Sequence, residues 1–386
     1  MRLQLPRRTW HSGLRAGLCA LALLLVQEAV HSEPGVTSTR IALGMTAPLS
    51  GPLSHYGLDL AKGLRLGLEQ QNAAGGIAGR RIELRVRDDA GRPDRAAANV
   101  QALLDEGVLA FTGLQGASSV AAVLPLIEKS GVLLVGAATG AESLREPPLR
   151  HVFNLRAGAR EETAAMVLHL DTIGITEIAT IAQDDELGSA ALEGVQFELT
   201  RLAVRPLALV RLPVQPSPAD VDRAVQAACK AKPQAMVLGL HAANVRSVIR
   251  AARKADCSPR FYAMSEAGAE LLATGVPGAP GELAGVVVSQ VLPHPHAASV
   301  LVAADYVRLA GATPTYAGLE GFIYGRVIAE GLRRCATTIT RQCLGNALES
   351  RAVDVGGYRV EFRPPDRRGS RFVDMTIITP DGRFRR

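Results

Sequence analysis

The sequence predicts an α/β protein: two doubly wound parallel-sheet lobes with a ligand cleft between them. Three observations predict it. Short apolar strands alternate with helices of 3.6-residue periodicity, the rhythm of a parallel sheet covered on both faces. That rhythm pauses near Phe153 and restarts, giving two runs of similar size. No low-complexity linker separates the runs, which suits a chain that crosses between lobes more than once. The length agrees, because 386 residues exceed one ordinary core and suit about two domains. An open parallel sheet binds ligands beyond the carboxyl ends of its strands, and two such lobes facing each other make a cleft that closes by a hinge.

Each element has a local reason. Ile41, Leu43 and Met45 open a strand that ends at Pro48. Leu60, Leu64 and Leu68 recur every four residues and mark a helix that stops at Ala74-Gly75-Gly76. Ile82, Leu84 and Val86 alternate with Arg and Glu, a half-buried strand. Pro93 and Asp94 start a helix through Leu104. Strand Val108–Thr112, a helix from about Ser118 to Lys129 and strand Val132–Val135 complete the first run. The second run has helix Thr163–Leu170, strand Ile178–Ile181, helix Ala190–Leu202 and strand Leu207–Leu212. Ser217-Pro218-Ala219-Asp220 is a sound helix start: Ser caps, Pro suits the first helical position and Asp suits the positive end of the dipole. Strand Ala235–Leu240, helix Asn244–Lys254 and strands Arg260–Ala263 and Val286–Val291 follow. Two long helices, Ala298–Leu309 and Tyr316–Arg334, precede a β-rich end at Tyr358–Phe362 and Phe372–Thr379.

Residues 1–32 read as a secretory signal peptide. Arg2, Arg7, Arg8 and Arg15 form a basic region, Ala16–Val26 is an apolar run, and Val30-His31-Ser32 offers a cleavage site before Glu33. The apolar run is short for a membrane span, and Cys19, with Leu18 before it, does not fit a lipidation site. The whole chain has a formal charge of +6; removing a leader of four Arg and one Glu, net +3, leaves +3. With acids interleaved throughout, that makes no basic stripe, and an aromatic share of 4% makes no stacking platform, so nucleic acid is not an expected partner. Export allows Cys229, Cys257, Cys335 and Cys343 to oxidise. Cys335 and Cys343 flank a short loop and suit a disulfide; Cys229 and Cys257 each follow a helix and could pair at one end of a sheet, though spacing does not fix connectivity.

Enzyme signatures are mostly absent. There is no P-loop, no GxSxG elbow, and Gly113-Leu-Gln-Gly116 lacks the third glycine of a dinucleotide fingerprint. Asp184-Asp185-Glu186 reads as a solvated loop, and His294-Pro295-His296 as a plain loop lacking a third metal ligand. Asp88 and Asp89, adjacent on a strand, point to opposite faces and cannot share acid–base work. No metal or cofactor is expected. Gly116-Ala117-Ser118-Ser119 joins a strand to a helix, where free N–H groups favour a carboxylate. Ala137-Ala138-Thr139-Gly140 ends another strand, its small residues allowing close backbone approach.

Three segments carry a family resemblance: Ile41-Ala-Leu-Gly-Met-Thr-Ala-Pro-Leu-Ser-Gly-Pro-Leu-Ser-His-Tyr-Gly57, Asn72-Ala-Ala-Gly-Gly-Ile-Ala-Gly79 and Asp88-Asp89. At these spacings the chain resembles the leucine/isoleucine/valine-type solute-binding proteins of ABC importers, which have the type I periplasmic-binding fold. Gln183-Asp-Asp-Glu-Leu-Gly188, Gln290-Val-Leu-Pro-His-Pro295, Leu319-Glu-Gly321 and Gly369-Ser-Arg-Phe372 look like a subgroup of that family. The resemblance implies three hinge crossovers, near Phe153–Ala157, Val288–Pro293 and Gly356–Phe362. It implies lobe 1 at 39–155 plus 291–355, and lobe 2 at 156–290 plus 356–386. It implies a ligand carboxylate at Gly116, Ala117 and Ser118, with Ala117 where amino-acid binders often carry Ser. Ala138 and Thr139 fall near the ammonium-binding segment, and Glu266 matches the acid that neutralises the ammonium. Tyr56 matches an aromatic pocket wall. Leu187 and His241 match positions where tyrosines are common; with Ala117 these make three departures that argue against leucine, and His241 could hydrogen-bond a polar or acidic ligand tail.

The expected function is therefore a periplasmic, non-enzymatic and monomeric receptor. It closes on an amino acid or related carboxylate and delivers it to an ABC permease in the inner membrane. The alternative is a ligand-sensing receptor of the same fold, coupled to a membrane signalling partner. A hydrolase would need a nucleophile–base pair that the sequence does not offer.

Overall fold

A computed structural model describes residues 33–51, 54–268, 272, 281–311 and 314–386. The leader at 1–32 lies outside the described residues. The first βαβ run is β1 (Arg40–Ala47), α1 (Ser54–Ala73), β2 (Arg81–Asp88), α2 (Pro93–Asp105), β3 (Ala110–Phe111), β4 (Leu114–Gln115), α3 (Ala117–Ser130), β5 (Leu133–Val135), β6 (Ala137–Ala138) and β7 (Val152–Phe153). It forms a parallel sheet in the order β2-β1-β3-β5-β7, while β4 and β6 pair as a short parallel extension beyond β3 and β5.

The second run is α4 (Ala159–Thr172), β8 (Ile178–Gln183), α5 (Glu186–Arg201), β9 (Ala208–Leu212), α6 (Pro218–Cys229), β10 (Ala235–Gly239), α7 (Ala242–Lys254), β11 (Arg260–Ala263), a 3-10 turn at Ser265–Ala267 and β12 (Val287–Gln290). The remaining elements are α8 (Leu301–Ala310), α9 (Tyr316–Cys335), α10 (Arg341–Ser350), β13 (Val353–Asp354), β14 (Arg359–Val360), β15 (Asp374–Ile378) and β16 (Phe384–Arg385). The second sheet has the order β16-β15-β12-β11-β10-β8-β9. Its five strands β8 to β12 are parallel, but β15 runs antiparallel to β12 and β16 antiparallel to β15. A late strand returning beside the edge needs no crossover helix, so the expected all-parallel sheet gains an antiparallel border.

The chain ends its part in the first sheet at Phe153, enters the second at β8, returns after β12 to the helices that cover the first sheet, and re-enters the second at β15. Tyr358 ties these passages together: its buried hydroxyl lies 3.1 Å from the Leu155 carbonyl and 3.4 Å from that of Val291. The α1–α9 contact fixes the first sheet's cover. A Cβ on Gly63 would lie 1.8 Å from the Gly318 carbonyl oxygen, and one on Gly321 would lie 2.0 Å from that of Leu60. Glycine is required there for backbone to meet backbone. Both cysteine pairs form, Cys229–Cys257 and Cys335–Cys343. The first joins the end of α6 to the residues after α7, as the helix ends allowed.

Most helices begin within a few residues of the sequence expectation. The exception with functional weight is α5, expected from Ala190. It starts at Glu186 because Asp185 caps it, accepting from the Gly188 N–H at 3.0 Å. The acidic cluster is therefore not a solvated loop but a helix start with two half-buried members, Asp185 and Glu186.

Candidate functional site

Two of the cavities among the described residues gather residues that the sequence singled out. The larger, about 90 Å³, is lined by Gln115, Gly116, Ala117, Ser118 and Ser119 from the first run and by Asp185, Leu187 and His241 from the second, with Pro48 and Gly91 at its edge. Gly116 is the N-cap of α3 at φ +84°, a conformation glycine adopts freely, and no side chain caps the helix. The first-turn N–H groups of α3 lack intrahelical partners and the dipole is positive there, which suits an anion. The Gln115 Oε1 atom is buried in this wall with no hydrogen-bond partner. Asp88 braces the loop carrying Pro48 by accepting from the Ser50 hydroxyl (2.6 Å) and the Leu49 N–H (2.8 Å). The Ser50 bond leads the influences that hold Asp88 down to about 2. Asp89 turns the other way, onto Thr46 and the Gly91 N–H, so the two acids diverge as expected.

The opposite wall is organised by the buried side chain of Gln183. Its Oε1 accepts from the His241 N–H (2.9 Å) and from Asn244 (2.8 Å), while its Nε2 donates to Asp185 (2.9 Å). That holds His241 Nε2 3.4 Å from Asp185 Oδ2. Burial alone would lower the His241 pKa, but its bond to Asp185 and the charges of Glu266 and Asp185 outweigh burial and raise it. Asp185 is correspondingly lowered against its own burial.

Glu266 sits in the turn after β11, and Thr139 follows β6. The Thr139 hydroxyl lies 2.9 and 3.1 Å from the two Glu266 oxygens, and the Gly140 N–H donates to Oε2 at 2.9 Å. Ala138 is buried beside Thr139. The carboxylate thus reaches from the second run onto the first.

The second cavity, about 20 Å³, is lined by Tyr56, Arg156, Ser265, Gln290, Val291, Leu292, Tyr316 and Glu320. Tyr56 on α1 donates to Glu320 on α9. Burial first, and Glu320 second, push the Tyr56 phenol well above its ordinary range, so it stays a donor.

The structure therefore groups Gly116, Ala117, Ser118, Leu187 and His241 around one cavity, joins Ala138–Thr139 to Glu266, and sets Tyr56 at the other cavity. Sequence reasoning missed Gln115, Asp185, Arg156 and Glu320. Glu320 left a signal: a lone acid among the small and apolar residues of the first ten positions of α9, a stretch that is buried on all sides. A larger groove, about 530 Å³, lies along the outer edge of the first sheet beside Arg65, Glu69 and Arg81 and contains none of these residues. Among the described residues no cluster of His, Cys, Asp and Glu could hold a metal ion, and no helix is long and apolar enough to cross a membrane.

Two α/β units linked by repeated passages, with polar groups from both meeting in a cleft, define the type I periplasmic binding proteins. The chain belongs to the periplasmic binding protein family, whose model matches residues 40–383, and it is of the leucine/isoleucine/valine type. It is a solute-binding receptor and not an enzyme. Its fold is similar to that of an extracellular ligand-binding receptor from Verminephrobacter eiseniae, with TM-score 0.82 and 26% identity over 90% of this chain and all of that one. It is also similar to a substrate-binding periplasmic protein from Ralstonia solanacearum, with TM-score 0.78 and 29% identity over 89% of this chain and 98% of that one. Among curated relatives, Leu/Ile/Val-binding protein homolog 3 of Brucella melitensis is 31% identical over 127 residues, 32% of this chain and 34% of that protein. The match thus spans about a third of that relative's length. A fatty acid ABC transporter substrate-binding protein from Thermomonospora curvata shares the fold at TM-score 0.77 and 23% identity, covering 92% of this chain and 93% of that one.

Proposed function

We propose that this protein is the periplasmic receptor of an ABC importer, exported by a cleaved leader at residues 1–32, and that it works as a monomer. It closes on a small amino acid or related carboxylate and hands it to an inner-membrane permease. The observation that carries the ligand class is Glu266, whose carboxylate reaches Thr139 and Gly140 across the cleft. An ammonium group beside Glu266 and Thr139 gains a charge partner and a hydroxyl acceptor. A carboxylate at Gly116, Ala117 and Ser118 gains N–H donors and the positive end of a helix dipole. The ligand side chain then faces Leu187 and His241, where the His241–Asp185 pair favours a polar tail over a purely aliphatic one. The amino-acid names of relatives such as the leucine-, isoleucine-, valine-, threonine- and alanine-binding protein of Pseudomonas aeruginosa support the same class.

A thermal-shift screen of mature protein, refolded to strip any bound solute, tests this reading. The panel holds the amino acids, their amides, keto acids and dicarboxylates. A ligand at 100 times its dissociation constant adds about 2.7 kcal/mol. The expected hits are zwitterionic amino acids, polar ones ahead of leucine. Hits among plain carboxylates alone would remove the ammonium role of Glu266, and a silent panel would overturn the ligand class.

A further inference from the structure

We infer that Arg156 is a positioning residue that couples the ligand-facing side chains of the two lobes, with Glu162 and Glu320 as its two arms. Arg156 stands in the first passage between the sheets, after β7 and before α4. Its guanidinium lies 3.4 Å from Glu320 Oε1 and 3.3 Å from Glu162 Oε1, and donates to the Ser265 hydroxyl at 2.5 Å. On one side, Glu320 accepts from Tyr56 and from Tyr324 (2.6 Å), side chains of the helices that cover the first sheet. On the other, Glu162 accepts from the Ser265 N–H (2.8 Å), the Ser265 hydroxyl (2.9 Å) and the Ser289 hydroxyl (2.5 Å), all attached to the second sheet. Ser265 is the chain neighbour of Glu266. An unbroken series of contacts thus runs Tyr56–Glu320–Arg156–Glu162–Ser265 and ends beside Glu266.

The series is dry. Arg156 is 1% exposed, Glu162 0% and Glu320 1%. Burying three charges is costly, and packed apolar side chains would often stabilise a fold as well or better. What such a network does supply is a defined geometry, because breaking one link strands the next charge; Arg156 holds its place through its two terminal nitrogens, its buried Nε making no hydrogen bond. Arg145 adds a third arm. Its guanidinium donates to the Ala141 carbonyl (2.7 Å), the Thr139 carbonyl (3.4 Å) and the Arg156 carbonyl (3.2 Å), fixing the Thr139 loop to the same backbone. Tyr56, Thr139 and Glu266 are therefore all referred to one residue in the passage whose dihedrals a hinge motion would change.

The inference takes from the proposed function only that these three residues face the ligand. Its test needs no ligand, so failure of the coupling and failure of the ligand assignment are separate results. Amide hydrogen exchange is followed by mass spectrometry in mature protein and in the variants Glu320→Gln, Glu162→Gln and their double. Glu330→Gln, a change on the same helix outside the network, is the control. Glu320→Gln should raise exchange in the peptide spanning 262–268, on the opposite sheet, while Glu330→Gln leaves that peptide unchanged. The double variant should raise it no more than the larger single does, because both arms end on Arg156. Changes confined to α1 and α9, or strictly additive effects, would overturn the coupling. If Glu320→Gln does not fold, Tyr56→Phe, which removes one donor to Glu320, reads the same peptide with the same outcomes.

Discussion

Glu266 and His241 carry opposite halves of the proposed recognition. Removing the charge of Glu266 without changing its shape isolates the ammonium interaction. Glu266→Gln should weaken an amino-acid ligand by about 2–5 kcal/mol, because a desolvated charge partner is lost. Isothermal titration of the strongest hit reads this directly, and unchanged affinity sinks the assignment. His241 gives a pH signature. Its folded pKa is raised above the ordinary 6.5, since Asp185 and Glu266 outweigh burial. The protonated form therefore stabilises the fold fully below 6.5, and that contribution disappears as pH rises through the higher folded value. Melting curves from about pH 6 to about pH 9 should show wild type losing stability relative to His241→Gln. Parallel curves would mean that Asp185 does not act on the imidazole. Glu266 is singled out by the family resemblance, because its neighbours Met264-Ser-Glu-Ala267 stand in sequence, and its role is the one proposed above. The Asp185–His241 contact was not, because it depends on Gln183 bringing two separate loops together.

At the scale of elements, the α1–α9 contact is the most demanding packing in the first unit. Leu60, Leu64 and Leu68 announced the helix, but the periodicity of leucines says nothing about the glycines that let a second helix approach. Gly321→Ala places a Cβ 2.0 Å from the Leu60 carbonyl oxygen. It should destabilise the protein by at least about 1–3 kcal/mol, the usual cost of overpacking. Gly345→Ala on α10 makes the opposite case, since its nearest neighbours are side-chain atoms at 3.7 Å. It should stabilise by about 0.5–1 kcal/mol through helix entropy alone. Denaturant titrations of the two variants would show the contrast, and equal effects would mean that the helices can part to admit a methyl group. The disulfides differ in reach. Cys229–Cys257 closes a separation of 28 residues and Cys335–Cys343 one of 8. In the chain-entropy account the longer loop is worth about 1 kcal/mol more. The Cys229→Ser, Cys257→Ser pair should lower the melting temperature more than the corresponding pair at Cys335 and Cys343.

For the whole molecule, the proposed export sets where the mature chain starts. Glu33 lies 3.7 Å from Arg341, and its carbonyl accepts from the Val36 N–H at 2.9 Å, so a chain beginning there is already anchored. The intact mass of protein recovered from the periplasm should correspond to Glu33–Arg386. A mass that retains residues 1–32 would make the leader an anchor instead.

The sequence by itself determined the α/β class, the two runs of strands and helices, most element positions, and the strand-end turns at Gly116 and Thr139. These follow from local periodicity and from capping and turn chemistry, which act within a few residues. Only the tertiary structure decided that β15 and β16 run antiparallel, that glycines on α1 and α9 meet, and that both cysteine pairs form. It alone showed Arg156 standing between Glu162 and Glu320. Each of these joins residues far apart in the chain, and no pattern of neighbours encodes which distant partner a buried charge or a bare glycine will meet.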